Sequence, residues 1–358
     1  MPSPPAAPTP LRYAGLLLGA TLVAAAISLI AITPKLVPWH DQPLVYETTK
    51  VEPMTAQLAN PAGWERAYLN EPDFNGIQTI RWRLLPPVVG HALGLSPHAY
   101  FTLPWIGALI LIGLGTHYAL QRKATPWAAL AVGVLIGTSS GCFSATGAMG
   151  YFDPFYLIPL MLVTFSRSSV VMLAACALGP WVDEKFLFML PACCLVRWSW
   201  QPETRWIRSV IGGIAPYCLI RIGALCMGDS SFSRQIPMQA AVFPDYAPTL
   251  PKAWWYGFRA GWVLIFIGLW SASRSLDTRG RWLLLTALVG SVGAVSFLAW
   301  DTTRSIAMIL PFMVVGLQWN AANRLLPWLA LLNLLLPAAY VWCGHPVTVP
   351  MTSIFSRW

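Results

Sequence analysis

Residues 153–197 read DPFYLIPLMLVTFSRSSVVMLAACALGPWVDEKFLFMLPACCLVR. Three apolar runs follow one another, separated by Ser166-Arg167 and by Asp183-Glu184-Lys185. The runs are eleven to fifteen residues long, and even fifteen residues of helix rise only roughly 22 Å, short of a hydrocarbon core of about 30 Å. If Arg167 and Arg197 lie on one side of a membrane, the acids of the intervening turn sit below the opposite surface. Asp153 is placed in the same way relative to Arg167. Charged, irregular backbone at that depth is tolerated where it lines a cavity or is buried in protein. The two turns therefore point to one recess that opens on one side.

The rest of the chain agrees with a membrane reading. It has 358 residues, 56% hydrophobic and only 10% charged, with mean hydropathy +0.57. A soluble domain carries about 25% charged residues. The pattern predicts an all-α, polytopic transmembrane bundle of about eleven helices, over 13–32, 101–120, 127–149, 154–166, 168–182, 186–196, 207–227, 254–272, 282–299, 304–319 and 325–343. Residues 1–12 read as a disordered, Pro-rich cytoplasmic tail, 13–343 as a single transmembrane domain, and 344–358 as an extracytoplasmic tail. Loops are expected at 33–100 and 228–253. The first loop includes Leu84–Leu95, LLPPVVGHALGL, too short to span and suited to lie at the interface.

Orientation follows from charge. Arg122, Lys123, Arg167, Arg197 and Arg324 gather in alternate turns whose only acids are Glu203 and Asp277. The positive-inside bias makes those turns cytoplasmic, with the N-terminus; a bacterial inner membrane is the expected setting. The net charge of +9 is topological and carries no signal for nucleic acid. No P-loop, dinucleotide fingerprint or nucleophile elbow occurs. The seven cysteines show no zinc-ligand spacing, and no metal ligand is assigned. A stripe of Gly133, Gly137 and Gly141, and the pair Gly257 and Gly261, read as packing devices.

Several residues could carry chemistry. Asp41, in Pro38-Trp39-His40-Asp41-Gln42, stands just above the membrane, where a carboxylate can act as general base toward a hydroxyl; a solvated acidic loop is the plainer reading. His40 could bind metal or tune the charge of Asp41. Asp153 precedes Pro154 and is a natural helix cap. Asp183 and Glu184, beside Lys185, form a costly charged turn. Asp301 opens a helix as its cap, and Arg304 at that positive helix end either pairs with Asp301 or meets a phosphate. Arg221 reads as the one basic residue well inside an apolar run, a second phosphate contact or a snorkelling side chain. Arg81 and Arg83 read as anchors or headgroup contacts.

A first helix, a long loop with an early acid, many further helices and an outward charged pocket together resemble the GT-C integral membrane glycosyltransferases. The resemblance implies an enzyme that moves a sugar from a polyprenyl-phosphate carrier to an acceptor on the extracytoplasmic side. It also implies catalysis by Asp41, with Asp153, Asp183 and Glu184 as further acids and Arg304 or Arg221 on the lipid phosphate; His40 and Asp301 complete the expected substrate-binding set. The expected partners are membrane lipid and the lipid-linked donor. The acceptor and any cofactor stay open, a divalent cation being one option. The alternative is a transporter or flippase for a lipid-linked or anionic solute, and a third reading is a non-catalytic assembly subunit.

Overall fold

The computed structural model describes residues 9–32, 45–64, 81–122, 124–147, 151–227, 231–299, 301–318, 322–342 and 345–348. Among the described residues, the regular structure is helical apart from one short hairpin. Helix α1 is Pro10–Ile32, α2 Val45–Ala59, α3 Leu85–Ala92, α4 Pro97–Gln121, α5 Pro126–Gly137 and α6 Ser140–Gly147. The centre of the sequence forms α7 Asp153–Phe165, α8 Ser169–Val182, α9 Lys185–Trp200 and α10 Arg205–Cys226. Then come α11 Ser231–Tyr246, α12 Leu250–Phe258, α13 Trp262–Arg274, α14 Thr278–Leu298, α15 Thr302–Ser305, α16 Leu310–Val315 and α17 Ala322–Leu335. Strands β1 (Ala339–Trp342) and β2 (His345–Thr348) pair antiparallel, with Tyr340 opposite Val347.

Local chemistry explains several helix starts. Ser96, Thr125 and Ser168 each accept a hydrogen bond from an amide three residues on, and Pro97 and Pro126 follow two of them. Asp277 caps α14 through Gly280 N at 2.7 Å. Among the described residues, four helices are long and apolar enough to cross a membrane, or five if the bent pair α5–α6 is one span. Asp153–Phe165 and Ser169–Val182 are apolar but shorter, as the opening stretch predicts. Leu85–Ala92 is a short helix where an interfacial segment is expected.

The structure departs from the expected spans in several places; the 3-10 turn Arg259–Gly261 breaks 254–272, and the 3-10 segments Ile306–Ile309 and Gly316–Gln318 break 304–319. The run 127–149 is not one helix: it bends by 61° between α5 and α6. The hydroxyl of Thr138 donates to Val134 O at 2.7 Å and that of Ser139 to Ile136 O at 2.6 Å, so side chains terminate α5. The region 228–253, expected as a loop, carries α11. The last run, expected to continue as helix to 343, ends at Leu335 and gives way to the hairpin. β-Branched and aromatic residues at Tyr340-Val341-Trp342 favour a strand there.

Glycine sets two close approaches. A Cβ on Gly133 would lie 2.7 Å from Ala24 Cβ, and one on Gly137 would overlap Ser28, so both residues bring α5 against α1. Gly141, beyond the bend, faces Leu157 and Ala307 instead.

Asn333 in α17 is fully buried and ties two helix breaks together. Its Nδ2 donates to Thr138 Oγ1 at 2.7 Å, and its Oδ1 accepts from Ala260 N at 2.9 Å, in the 3-10 turn Arg259–Gly261 between α12 and α13. Asn333→Leu strands the Ala260 amide and removes the donor to Thr138 Oγ1, whose own bond to Val134 O remains. It is expected to cost about 1–3 kcal/mol, read as a lower unfolding midpoint in detergent.

Candidate functional site

Six ionised side chains form a line of alternating sign at one end of the bundle. Arg83 Nη2 lies 3.1 Å from Asp183 Oδ2, and Asp183 Oδ2 lies 3.7 Å from Lys185 Nζ. Lys185 Nζ is 3.4 Å from Asp153 Oδ1, and Asp153 Oδ2 is 3.2 Å from Arg304 Nη1. Arg304 Nε is 2.5 Å from Asp301 Oδ2. The six residues come from the approach to α3, the start of α7, the α8–α9 turn and α15. Three cations and three acids make the line neutral, and every interior member touches two partners of opposite sign. That ordering offsets the cost of taking the charges out of water.

Local structure aims each member. Asp183 ends α8, and its Oδ1 accepts from Lys185 N at 3.0 Å, which starts α9 and turns the lysine toward Asp153. Burial disfavours the charge on Asp183, but Arg83, Lys185 and Arg304 outweigh it and hold the carboxyl well below the usual carboxylate range. Asp301 caps α15 as expected, accepting from Arg304 N at 3.3 Å. The guanidinium of Arg304 also lies 4.0 Å from the centre of the Tyr151 ring, a cation–π contact. Thr303 Oγ1 accepts from Val341 N at 3.0 Å, which pins β1 against α15.

A second pair borders the line. Glu184 Oε1 is 3.0 Å from Arg221 Nη2 and accepts from the Tyr217 hydroxyl at 2.9 Å. Arg221 stacks over Trp82, 4.1 Å from the ring centre, and Trp82 is the chain neighbour of Arg83. The residues 82–83 therefore reach both groups.

Exposure divides the site into two layers. The Asp153 side chain is 0% exposed, and Lys185, Asp301 and Arg304 are also buried. Glu184 is 40% exposed, Arg83 22% and Arg221 14%. An incoming molecule meets Glu184, Arg83 and Arg221 first, and the buried acids are already neutralised by cations. Among the described residues, no group of three or more His, Cys, Asp or Glu side chains is placed to hold a metal ion.

The residues singled out in the sequence fall as follows. Asp153, Asp183, Asp301 and Arg304 come together in the line, and Glu184 with Arg221 stands beside it. Asp153 does not serve as a side-chain cap; α7 has no side-chain cap bond, and the carboxylate turns inward to Lys185 and Arg304. Arg304 takes its pairing with Asp301, and adds Asp153. Asp41 and His40 lie outside the described residues. Arg83 is more than an anchor, because its partner Asp183 is far away in sequence; nothing local in Arg81-Trp82-Arg83 signals that pairing. Arg221 is not the one basic residue within an apolar run. Arg259 lies inside the expected span 254–272 and is fully buried. The aromatic run around it, Trp254-Trp255-Tyr256-Gly257-Phe258, hides a single charge in a strongly apolar window.

Compared with known proteins, the chain matches no family model, no curated sequence and no solved structure.

Proposed function

We propose that this protein is a membrane glycosyltransferase that moves a sugar from a polyprenyl-phosphate carrier to an acceptor at the extracytoplasmic face. The observation that carries the reading is the convergence of residues 83, 153, 183–185, 221 and 301–304 at one end of an apolar bundle. The shallow helices α7, α8 and α9 support a recess at that end, and eleven crossings with the N-terminus cytoplasmic fit the basic turns. Arg83 and Arg221, the more open cations, face the donor phosphate, where charge builds as the sugar departs. Glu184 is the accessible carboxylate for the acceptor hydroxyl, alongside Asp41 from the first loop. Asp153, Lys185, Asp301 and Arg304 are positioning residues that fix the floor beneath them.

Transfer from a polyprenyl-phosphate sugar by protein in vesicles tests the reading. Glu184→Gln and Asp41→Asn are each expected to lower turnover by about a hundredfold or more, the scale of general-base catalysis. Arg221→Met should raise the donor KM by about tenfold. Undiminished transfer by both carboxylate variants would sink the assignment. The facing breaks at Thr138–Ser139 and Arg259–Gly261 favour a second reading, a transporter or flippase, since discontinuous helices are common in such folds. Translocation of a lipid-linked sugar without any acceptor would decide for it.

A further inference from the structure

Arg259 stands apart from the charged line. Its side chain is 0% exposed, yet among the described residues no carboxylate pairs with it. Nη2 donates to Thr138 O at the end of α5, while Nε and Nη1 have no hydrogen-bond partner. The backbone is strained as well: φ is 46° and ψ is −115°, a conformation that non-glycine residues seldom adopt. The chain thus holds a bare guanidinium inside an apolar bundle, against both desolvation and local strain.

The surroundings supply further unmet donors. Gly257 packs against Ile306, and a Cβ there would lie 3.6 Å from Ser140 Oγ and 3.5 Å from Thr303 O. Ser140 opens α6, so its hydroxyl stands at the positive end of that helix. Ser140 Oγ is buried with no partner, and so is Ser305 Oγ, one residue before Ile306. Guanidinium, helix N-terminus and hydroxyls are all groups that can donate to an anion. Water could satisfy the hydrogen bonds, but it would leave the charge uncompensated.

We propose that Arg259, with Ser140 and Ser305, holds a small monovalent inorganic anion at the junction of the α5–α6 and α12–α13 breaks. Full burial of the arginine selects a single ion over a lipid headgroup or a sugar phosphate. The ion neutralises the guanidinium and locks the two broken helices against each other through Thr138. Ser305 adjoins Arg304 in α15, but none of the proposed donors is a member of the charged line, so the proposal does not depend on the glycosyl-transfer reading.

The probe is chloride, exchanged for gluconate at constant ionic strength on the full chain in detergent. The unfolding midpoint of the wild type should rise with chloride and saturate, and Arg259→Gln should abolish the response. Ser140→Ala keeps the cation and removes one donor, so it should need roughly fivefold more chloride for half the effect. In crystals grown in bromide, an anomalous peak should lie within hydrogen-bond reach of Arg259 Nε and Nη1. A wild-type midpoint indifferent to chloride, or no bromide beside Arg259, overturns the proposal. If Arg259→Gln does not fold, the Ser140→Ala titration and the bromide peak decide the matter.

Discussion

Asp153→Ala is expected to destabilise the protein by about 3–5 kcal/mol, the cost of breaking a buried ion pair from one side. Asp153 is the only acid between Lys185 and Arg304 in the line, and its two oxygens serve one cation each. Removing it leaves two buried positive charges facing each other across an empty site. Lys185 keeps Asp183 and Arg304 keeps Asp301, but those two acids must then balance three cations, Arg83 included. Glu184→Gln gives the contrast. Its carboxylate is 40% exposed, so water takes over and the change should cost less than about 1 kcal/mol. Unfolding of both variants in detergent measures the difference. Equal stabilities would mean that the line contributes nothing to the fold. A doubly apolar variant, Asp153→Leu with Arg304→Met, should recover part of the loss, since replacing a buried pair is milder than halving it.

Gly268→Val is expected to be the most damaging apolar substitution, costing about 3 kcal/mol through overpacking. Helices α13 and α16 approach backbone to backbone at this point. A Cβ on Gly268 would overlap the Phe312 carbonyl oxygen and sit 2.9 Å from Gly316 N. From the other side, a Cβ on Gly316 would overlap the Leu264 carbonyl. These obstacles are backbone atoms, which cannot rotate away, so the helices must part. Such contacts hold apolar helices together in lipid, where packing replaces the hydrophobic effect. The displacement would travel through the short segment 306–309 to Arg304, and sugar transfer should fall with stability. Gly290→Val is the control: a Cβ there meets nothing within 4 Å, and the effect should stay within about 0.5 kcal/mol. A Gly268→Val protein as stable as that control would contradict the close crossing.

Legibility in the sequence varied with how local the cause was. The Asp301 cap was readable from Trp300-Asp301-Thr302-Thr303-Arg304, because capping acts within one turn. The shallow runs around Asp183-Glu184 were readable from residue counts against a fixed membrane thickness. The break at Thr138–Ser139 was not, because Gly137-Thr138-Ser139-Ser140-Gly141 is equally compatible with a smooth, small-residue packing face. The strand at Tyr340–Trp342 was absorbed into a span for the same reason: apolarity alone does not separate a helix end from a strand. Arg259 escaped notice because one cation barely lowers the hydropathy of an aromatic window.

The sequence by itself determined that this chain is an apolar helical protein with most of its charges in turns, since burial and helix geometry depend on composition and spacing. It also determined which acids lie at the short helix ends. Only the tertiary structure decided which charge meets which. Pairings such as Arg83 with Asp183 and Asp153 with Arg304 join residues far apart in the chain. Their energies depend on distances of 3.1 and 3.2 Å that no local pattern encodes. The same holds for what remains unpaired, because an orphaned guanidinium such as that of Arg259 is visible only once every neighbour has been placed.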